Sequence, residues 1–433
     1  MFLEYAVKGI WMPLTSVIMV TSMADGGLGF SEQQKGMIIG LPLAIGSMLA
    51  PFLAGQLTDK MFNTERVLGT MLIVGGFAIY CNSFLTSFMA WLMVSIVFSI
   101  MYVPTISLTN SLAMSHLPDA KVQFPRVRVW GTLGWIAVSW LFPMIWLQSD
   151  HILQAMPPFL VGEERPDAMP RMYDSFKAAG VMAVAFGLFS WFALPKTPPK
   201  NKGAVAEGKS KFAFVEALSL FKHKSFAVLM AISLPVSILH TIYMMNTSTF
   251  LQQAGLERSL IMPAMSIGQF SEIIALVCLG KFLTKFGFRN VMTFGISIYA
   301  LRYGIYGIPN LPIEVIVGTQ VLHGLCFACF YAGAFIYVER ISPKKIHHTA
   351  QTLFFFVMMG LAPLLTGTFI NGMLAWIAGA PVVDGSRVLD LDSYVVYWRI
   401  VAVAGLIAAV TFWALFRDET KDESDEPEDK PAA

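Results

Sequence analysis

The chain has 433 residues, 56% of them hydrophobic and only 13% charged, with a formal net charge of +2. A soluble domain carries about a quarter charged residues, so this composition excludes one large water-soluble core. Without a basic stripe interleaved with exposed aromatics, nucleic acid is excluded as a partner. Cys81, Cys278, Cys326 and Cys329 all lie inside apolar runs, which argues against a disulfide framework. The Cys326-x-x-Cys329 spacing has no second pair and reads as packing rather than as a redox or zinc motif.

Apolar segments recur along the chain and predict an all-α membrane protein of twelve transmembrane helices. They fall at roughly 2–22, 35–56, 66–87, 88–113, 124–147, 175–194, 225–248, 259–282, 290–309, 312–338, 348–377 and 394–416. The first run starts at Phe2 with neither a charged leader nor a small-residue cleavage site, so it reads as a span and not as a cleavable signal.

The fifth run opens with Phe124-Pro-Arg-Val-Arg128-Val-Trp-Gly-Thr132-Leu-Gly-Trp135. Arg128, Thr132 and Trp135 stand at i, i+4 and i+7, one face of a helix. A cation, a hydroxyl and an indole on one stripe can hold a flat, polar ligand. In the eighth run, Glu272 is one turn from Gln269, and an isolated carboxylate at mid-span costs a few kcal/mol unless it takes up a proton or finds a cation.

Lysine and arginine concentrate in alternate loops. Lys60 and Arg66, Lys121 and Arg126, Lys281 to Arg289, and Arg340 to Lys345 share one side with the basic segment 195–224. The opposite loops carry Asp25, Glu32, Glu163, Glu164, Asp167, Asp384 and Asp390. The positive-inside rule then puts both termini in the cytoplasm. Residues 195–224, with Pro195, Pro198, Pro199 and a Lys/Gly-rich run, have linker composition, and 417–433 form an acidic tail of disordered composition. The expected division is 1–194 and 225–416, six spans each. Gly55-Gln-Leu-Thr-Asp59-Lys60 is echoed by Gly280-Lys-Phe-Leu-Thr284-Lys285, 225 residues later (280 − 55), as an internal duplication requires.

That loop pattern resembles the signature of the major facilitator superfamily, with Phe62 in place of a second glycine and Thr284 in place of the acid. The resemblance implies two pseudo-symmetric six-helix halves, with Asp59, Lys60 and Arg66 as a cytoplasmic latch that gates them. Further stretches are similar to the bacterial nucleoside:proton symporters: the fifth-span segment, Tyr102-Val-Pro104-Thr105 through Asn110, Gln269-Phe-Ser-Glu272, Leu301-Arg302-Tyr303, and Val338-Glu339 with Ser342-Pro343 and Ala350-Gln351. The similarity runs from the first span to the last.

This resemblance implies a proton-driven nucleoside importer of the bacterial inner membrane, working by alternating access. Its substrate site is expected at Arg128, Thr132, Trp135, His240, Tyr243, Gln269, Glu272 and Phe327, with Glu272 coupling the proton. Trp135 and Phe327 would face the base, and Arg128, Thr132, Gln269, His240 and Tyr243 would meet its polar edges and the ribose. Ala328 stands where family members carry an aspartate, Met359 replaces a polar residue, and Lys8 replaces an aromatic. The implied partners are a nucleoside, a proton and lipid. No cofactor or metal is called for, and one chain suffices as a monomer.

Taken alone, the same residues have plainer readings. Arg128 reads as a snorkelling arginine, Glu272 as a structural pair with Arg302, and Glu4 with Lys8 as an i, i+4 surface pair. A permease for a sugar or other hydroxylated metabolite, and a receptor of the same fold that binds without transporting, stand as alternatives. The spans hold no metal-binding or nucleophile motif that would make an intramembrane enzyme.

Overall fold

The structure is a computed structural model that describes residues 1–153, 160–199, 219–343 and 346–419. Twelve spanning helices run through the described residues. They are α1 Phe2–Val20, α2 Glu32–Lys60, α3 Thr64–Asn82, α4 Phe88–Ser115, α5 Ala120–Phe142 and α6 Ala168–Ala193 in the first half. In the second half, α7 is Lys224–Gln253, α10 Ile313–Ile341, α11 Thr349–Ile377 and α12 Leu391–Leu415. Between α7 and α10 one helical run, Arg258–Tyr306, divides at Gly287 into α8 (258–286) and α9 (288–306). Gly287 has φ +76°, a conformation glycine adopts without the steric penalty a side chain would bring.

Local chemistry sets several of these boundaries. Ser31 Oγ accepts from the Gln34 amide at 3.2 Å while Gln34 Oε1 accepts from the Ser31 amide at 3.0 Å. This reciprocal cap starts α2 at Glu32, earlier than hydropathy alone places it. Asp390 and Ser393 cap α12 in the same way. Pro104, Pro235 and Pro263 sit inside α4, α7 and α8, each removing one helical hydrogen bond. Wider π-turns interrupt α10 at Phe327–Ala332 and α11 at Phe356–Leu361. One feature was not expected from the sequence: a hairpin of β1 (Gln148–Leu153) and β2 (Leu160–Glu164) between α5 and α6. It is short and lacks an apolar alternation, so it leaves no period-two signal.

Packing repeats between the halves. α2 lies on α4 as α8 lies on α10, α3 on α6 as α9 on α12, and α1 on α5 as α7 on α11. Across the boundary α2 meets α11 and α5 meets α8, contacts that the same six-helix offset exchanges. This is the architecture of a pseudo-symmetric pair. Large apolar side chains such as Phe77, Phe192, Ile274, Val277 and Trp376 point outward, as a lipid-facing surface requires. Most of the expected linker and acidic tail lies outside the described residues. At the tail's start, Glu419 accepts from the Ser225 hydroxyl at 2.8 Å and so ties the end of α12 to α7.

Candidate functional site

The first wall of the site is the α1–α5 crossing. Gly134 of α5 faces the Phe2 carbonyl so closely that a Cβ would come within 2.2 Å of it. Only glycine allows that approach. The crossing sets Arg128 over Tyr5, with the guanidinium carbon 4.3 Å from the ring centroid, a cation–π contact. Thr132 is half-buried and makes no hydrogen bond among the described residues. Trp135 is placed differently from the other two. Its indole packs against Gly9 of α1, is only 8% exposed, and its Nε1 has no hydrogen-bond partner among the described residues.

The second wall is the α8–α10 crossing. Gly324 of α10 lies against the Glu272 backbone nitrogen, where a Cβ would stand 2.1 Å away, and its amide donates to Ser271 Oγ at 3.1 Å. Glu272 therefore rides on a tightly held turn. It is half-buried and within electrostatic reach of Arg128 on the opposite wall, though no ion pair within 4.0 Å joins them among the described residues. The Gln269 side chain turns back on its own helix, where with its amide nitrogen set toward the Met265 carbonyl it donates at 2.9 Å.

Beside this wall stands an aromatic and imidazole cluster. His240 Nδ1 lies 3.0 Å from the Tyr299 hydroxyl, and its ring stacks on His323 at 5.5 Å. Phe327 is half-buried, stacks on Tyr331 at 5.5 Å and meets His240 at 6.3 Å. Tyr243 lies behind these groups. Its ring is held between Arg302, at 4.1 Å, and His323, at 4.5 Å, and its hydroxyl donates to Gln320 at 3.0 Å. Arg302 is fully buried and donates to Gln320 and to the Tyr306 hydroxyl, so it does not pair with Glu272. The buried cation is satisfied by neutral acceptors and ring faces.

Glu4 and Lys8 are not a surface pair. Glu4 is 0% exposed and accepts from the Thr105 and Thr109 hydroxyls of α4 at 2.7 and 3.1 Å. Lys8, half-buried, lies within electrostatic reach of Glu4 and of His240 across the boundary. The clue in the sequence was Thr105 and Thr109, one turn apart on a face of α4.

At the end away from the chain termini the halves are sealed. Lys35 of α2 pairs with Glu32 at 2.6 Å and donates to Asn246 of α7 at 2.8 Å. Asn371 of α11 donates to the Glu32 carbonyl at 2.7 Å, and Asn246 donates to Asn371 at 2.8 Å. Trp140 donates to Ser266 at 2.8 Å, and Arg258 meets Glu164 at 3.3 Å. These contacts between the halves all lie toward this end. Of the expected latch, the side chains of Asp59 and Lys60 lie outside the described residues, and Arg66 is exposed. Its neighbour Glu65 is buried and accepts from the Thr197 amide at 2.8 Å, anchoring the chain after α6.

Residues 1–421 match the family described as Nucleoside H+ symporter. The chain belongs to this family. Relatives include a putative nucleoside transporter, YegT, of Escherichia coli (strain K12), 29% identical over 427 residues that cover 96% of this chain and 92% of the relative. Nucleoside permease NupG of the same organism is 24% identical over 435 residues, covering 96% and 94%. A crystal structure of nucleoside transporter NupG aligns with a TM-score of 0.77 at 22% identity, over 96% of this chain and 97% of that one. That likeness carries the fold. As a member of this symporter family the protein is a multi-pass membrane transporter, and its activity is proton-coupled nucleoside transport.

Proposed function

We propose that the protein imports nucleosides with protons across the bacterial inner membrane, as a monomer with both termini in the cytoplasm. The observation that carries this reading is the opposition of Arg128 and Thr132 on α5 to Glu272 on α8, in electrostatic reach across the boundary and with hydrogen-bonding capacity unspent. A neutral, hydroxylated ligand between them gains donors from one wall and an acceptor from the other. Phe327 and His240 offer faces for the base, Gln269 its carbonyl oxygen, while Trp135 and Tyr243 brace the walls from behind.

Residues 1–194 and 225–416 then rock as two bodies about this site. With the seal on the outer side, the described conformation opens toward the cytoplasm, and Asp59, Lys60 and Arg66 belong to the latch that closes in the opposite state. Glu272 couples the proton by alternating between protonation and attraction to Arg128. No step calls for catalysis, a cofactor or nucleic acid. Uptake of labelled uridine and adenosine into vesicles, with and without an imposed pH gradient, tests the reading. Accumulation only with the gradient is expected. Competition by sugars but not by nucleosides would overturn the substrate class, and binding without counterflow would make the protein a receptor.

A further inference from the structure

A proton carried through a membrane needs a site whose hydrogen-bond partners are satisfied whether the proton is present or absent. Glu4 of α1 has such partners. Oε1 accepts from Thr105 Oγ1 at 2.7 Å, Oε2 accepts from Thr109 Oγ1 at 3.1 Å, and the Tyr102 hydroxyl donates to the Glu4 main-chain carbonyl. The carboxyl is fully enclosed.

The decisive geometry is at Thr105. Its hydroxyl oxygen lies 2.7 Å from Glu4 Oε1 and also 2.5 Å from the Tyr102 carbonyl oxygen. A hydroxyl has one hydrogen to give and lone pairs to receive. With Glu4 ionised, that hydrogen points to Oε1. With Glu4 protonated, it turns to the Tyr102 carbonyl, and the same oxygen accepts the carboxyl proton. Neither state leaves a buried polar atom without a partner, the condition that makes both accessible. Of the other enclosed carboxyls, Glu32 is gripped by Lys35 at 2.6 Å, and Glu65 accepts from the Thr197 amide and from Asn63, donors that cannot turn to accept a carboxyl proton. Glu272 looks across at a permanent cation, Arg128.

The ionisable groups facing Glu4 are few. On α1 they are the amino group at Met1, Tyr5 and, one turn on, Lys8. On α4 there is Tyr102, and from α5 Arg128 lies over Tyr5. Lys8 also reaches His240 of α7 and has no ion pair or hydrogen bond among the described residues. We propose that Glu4 is a second proton-binding site of the transport cycle and that Lys8 reports its charge to the opposite half. Ionised Glu4 draws the Lys8 ammonium toward α4; protonated Glu4 releases it toward α7. The proton comes from outside water and leaves to cytoplasmic water, and no other bond is made or broken. Because the carboxyl is enclosed, it exchanges only when α1 and α4 part, which ties the proton to helix movement.

The inference rests on the proton symport proposed above, so its test has one readout that needs no substrate. Infrared difference spectra of the purified protein between acid and alkaline pH should show a protonated-carboxyl band that Glu4→Gln lacks. In proteoliposomes Glu4→Gln should lower gradient-driven uridine accumulation by about tenfold or more while counterflow without a gradient stays within about threefold. An unchanged infrared band, or accumulation equal to that of the unaltered protein, overturns the proposal. Failure of the unaltered protein to accumulate any nucleoside instead overturns the transport reading, and the band still decides Glu4. Should Glu4→Gln fail to insert, Thr105→Val should displace the pH at which the band titrates and Thr105→Ser should restore it. An identical titration in all three proteins is the opposing result.

Discussion

Lys35 on α2 donates to Asn246 on α7 at 2.8 Å with both side chains fully buried, so a charged hydrogen bond joins the two halves. Glu32, one turn before Lys35, balances the charge at 2.6 Å, and its backbone carbonyl is held by Asn371 of α11. Burying the two ions costs several kcal/mol each, which their attraction offsets only while the geometry is kept. A seal built this way is firm when closed and close to neutral once water enters, as a gate that opens in every cycle requires.

Lys35→Met should therefore strand Glu32 and destabilise the protein by about 3–5 kcal/mol, read as a lowered midpoint in thermal unfolding in detergent. Adding Glu32→Gln should recover most of that loss, because the uncompensated charge is then gone. Equal midpoints for the single variant and the unaltered protein would show that the pair contributes nothing to the seal.

Glu272→Gln keeps shape and hydrogen bonding but cannot exchange a proton. Gradient-driven accumulation in vesicles should be lost, with nucleoside binding retained within about tenfold. Full accumulation by this variant would remove Glu272 from the coupling step.

Arg128→Lys keeps the charge but loses the planar fork that lies over Tyr5. The apparent uridine affinity should fall by about tenfold, or ~1.4 kcal/mol, in initial-rate uptake. A lysine variant with unaltered affinity would mean that only the charge matters, as for a snorkelling cation.

Gly324→Ala pushes a methyl group into the backbone that carries Glu272. The expected loss is about 1–3 kcal/mol of stability, with a larger fall in uptake than in folded protein measured by size-exclusion chromatography. Uptake matching that of the unaltered chain would show that α8 and α10 need not cross so closely.

Much of the fold was legible because membrane spans leave long, one-sided signals. Twelve apolar runs, alternating basic loops and the repeat of Gly55 at Gly280 predict the helices and the duplication without reference to any contact. The stripe of Arg128, Thr132 and Trp135 was equally visible, since residues at i, i+4 and i+7 share a face of any helix. What covers that stripe was not visible. Gly9 of α1 takes up Trp135 and leaves Thr132 half-open, and only the crossing of two helices decides which.

The same division runs through the charged residues. Periodicity and hydropathy say that Glu4, Lys35, Glu272 and Arg302 stand in or at the ends of spans, because they are functions of the chain's own order. Their partners come from helices 101, 211 or 18 positions distant in sequence: Thr105 for Glu4, Asn246 for Lys35, Gln320 for Arg302. A side chain's one-dimensional neighbours set its helix and its face. Whether it becomes a gate, a proton site or a brace depends on which polar atom the packed helices bring within about 3 Å, a distance that no local pattern encodes.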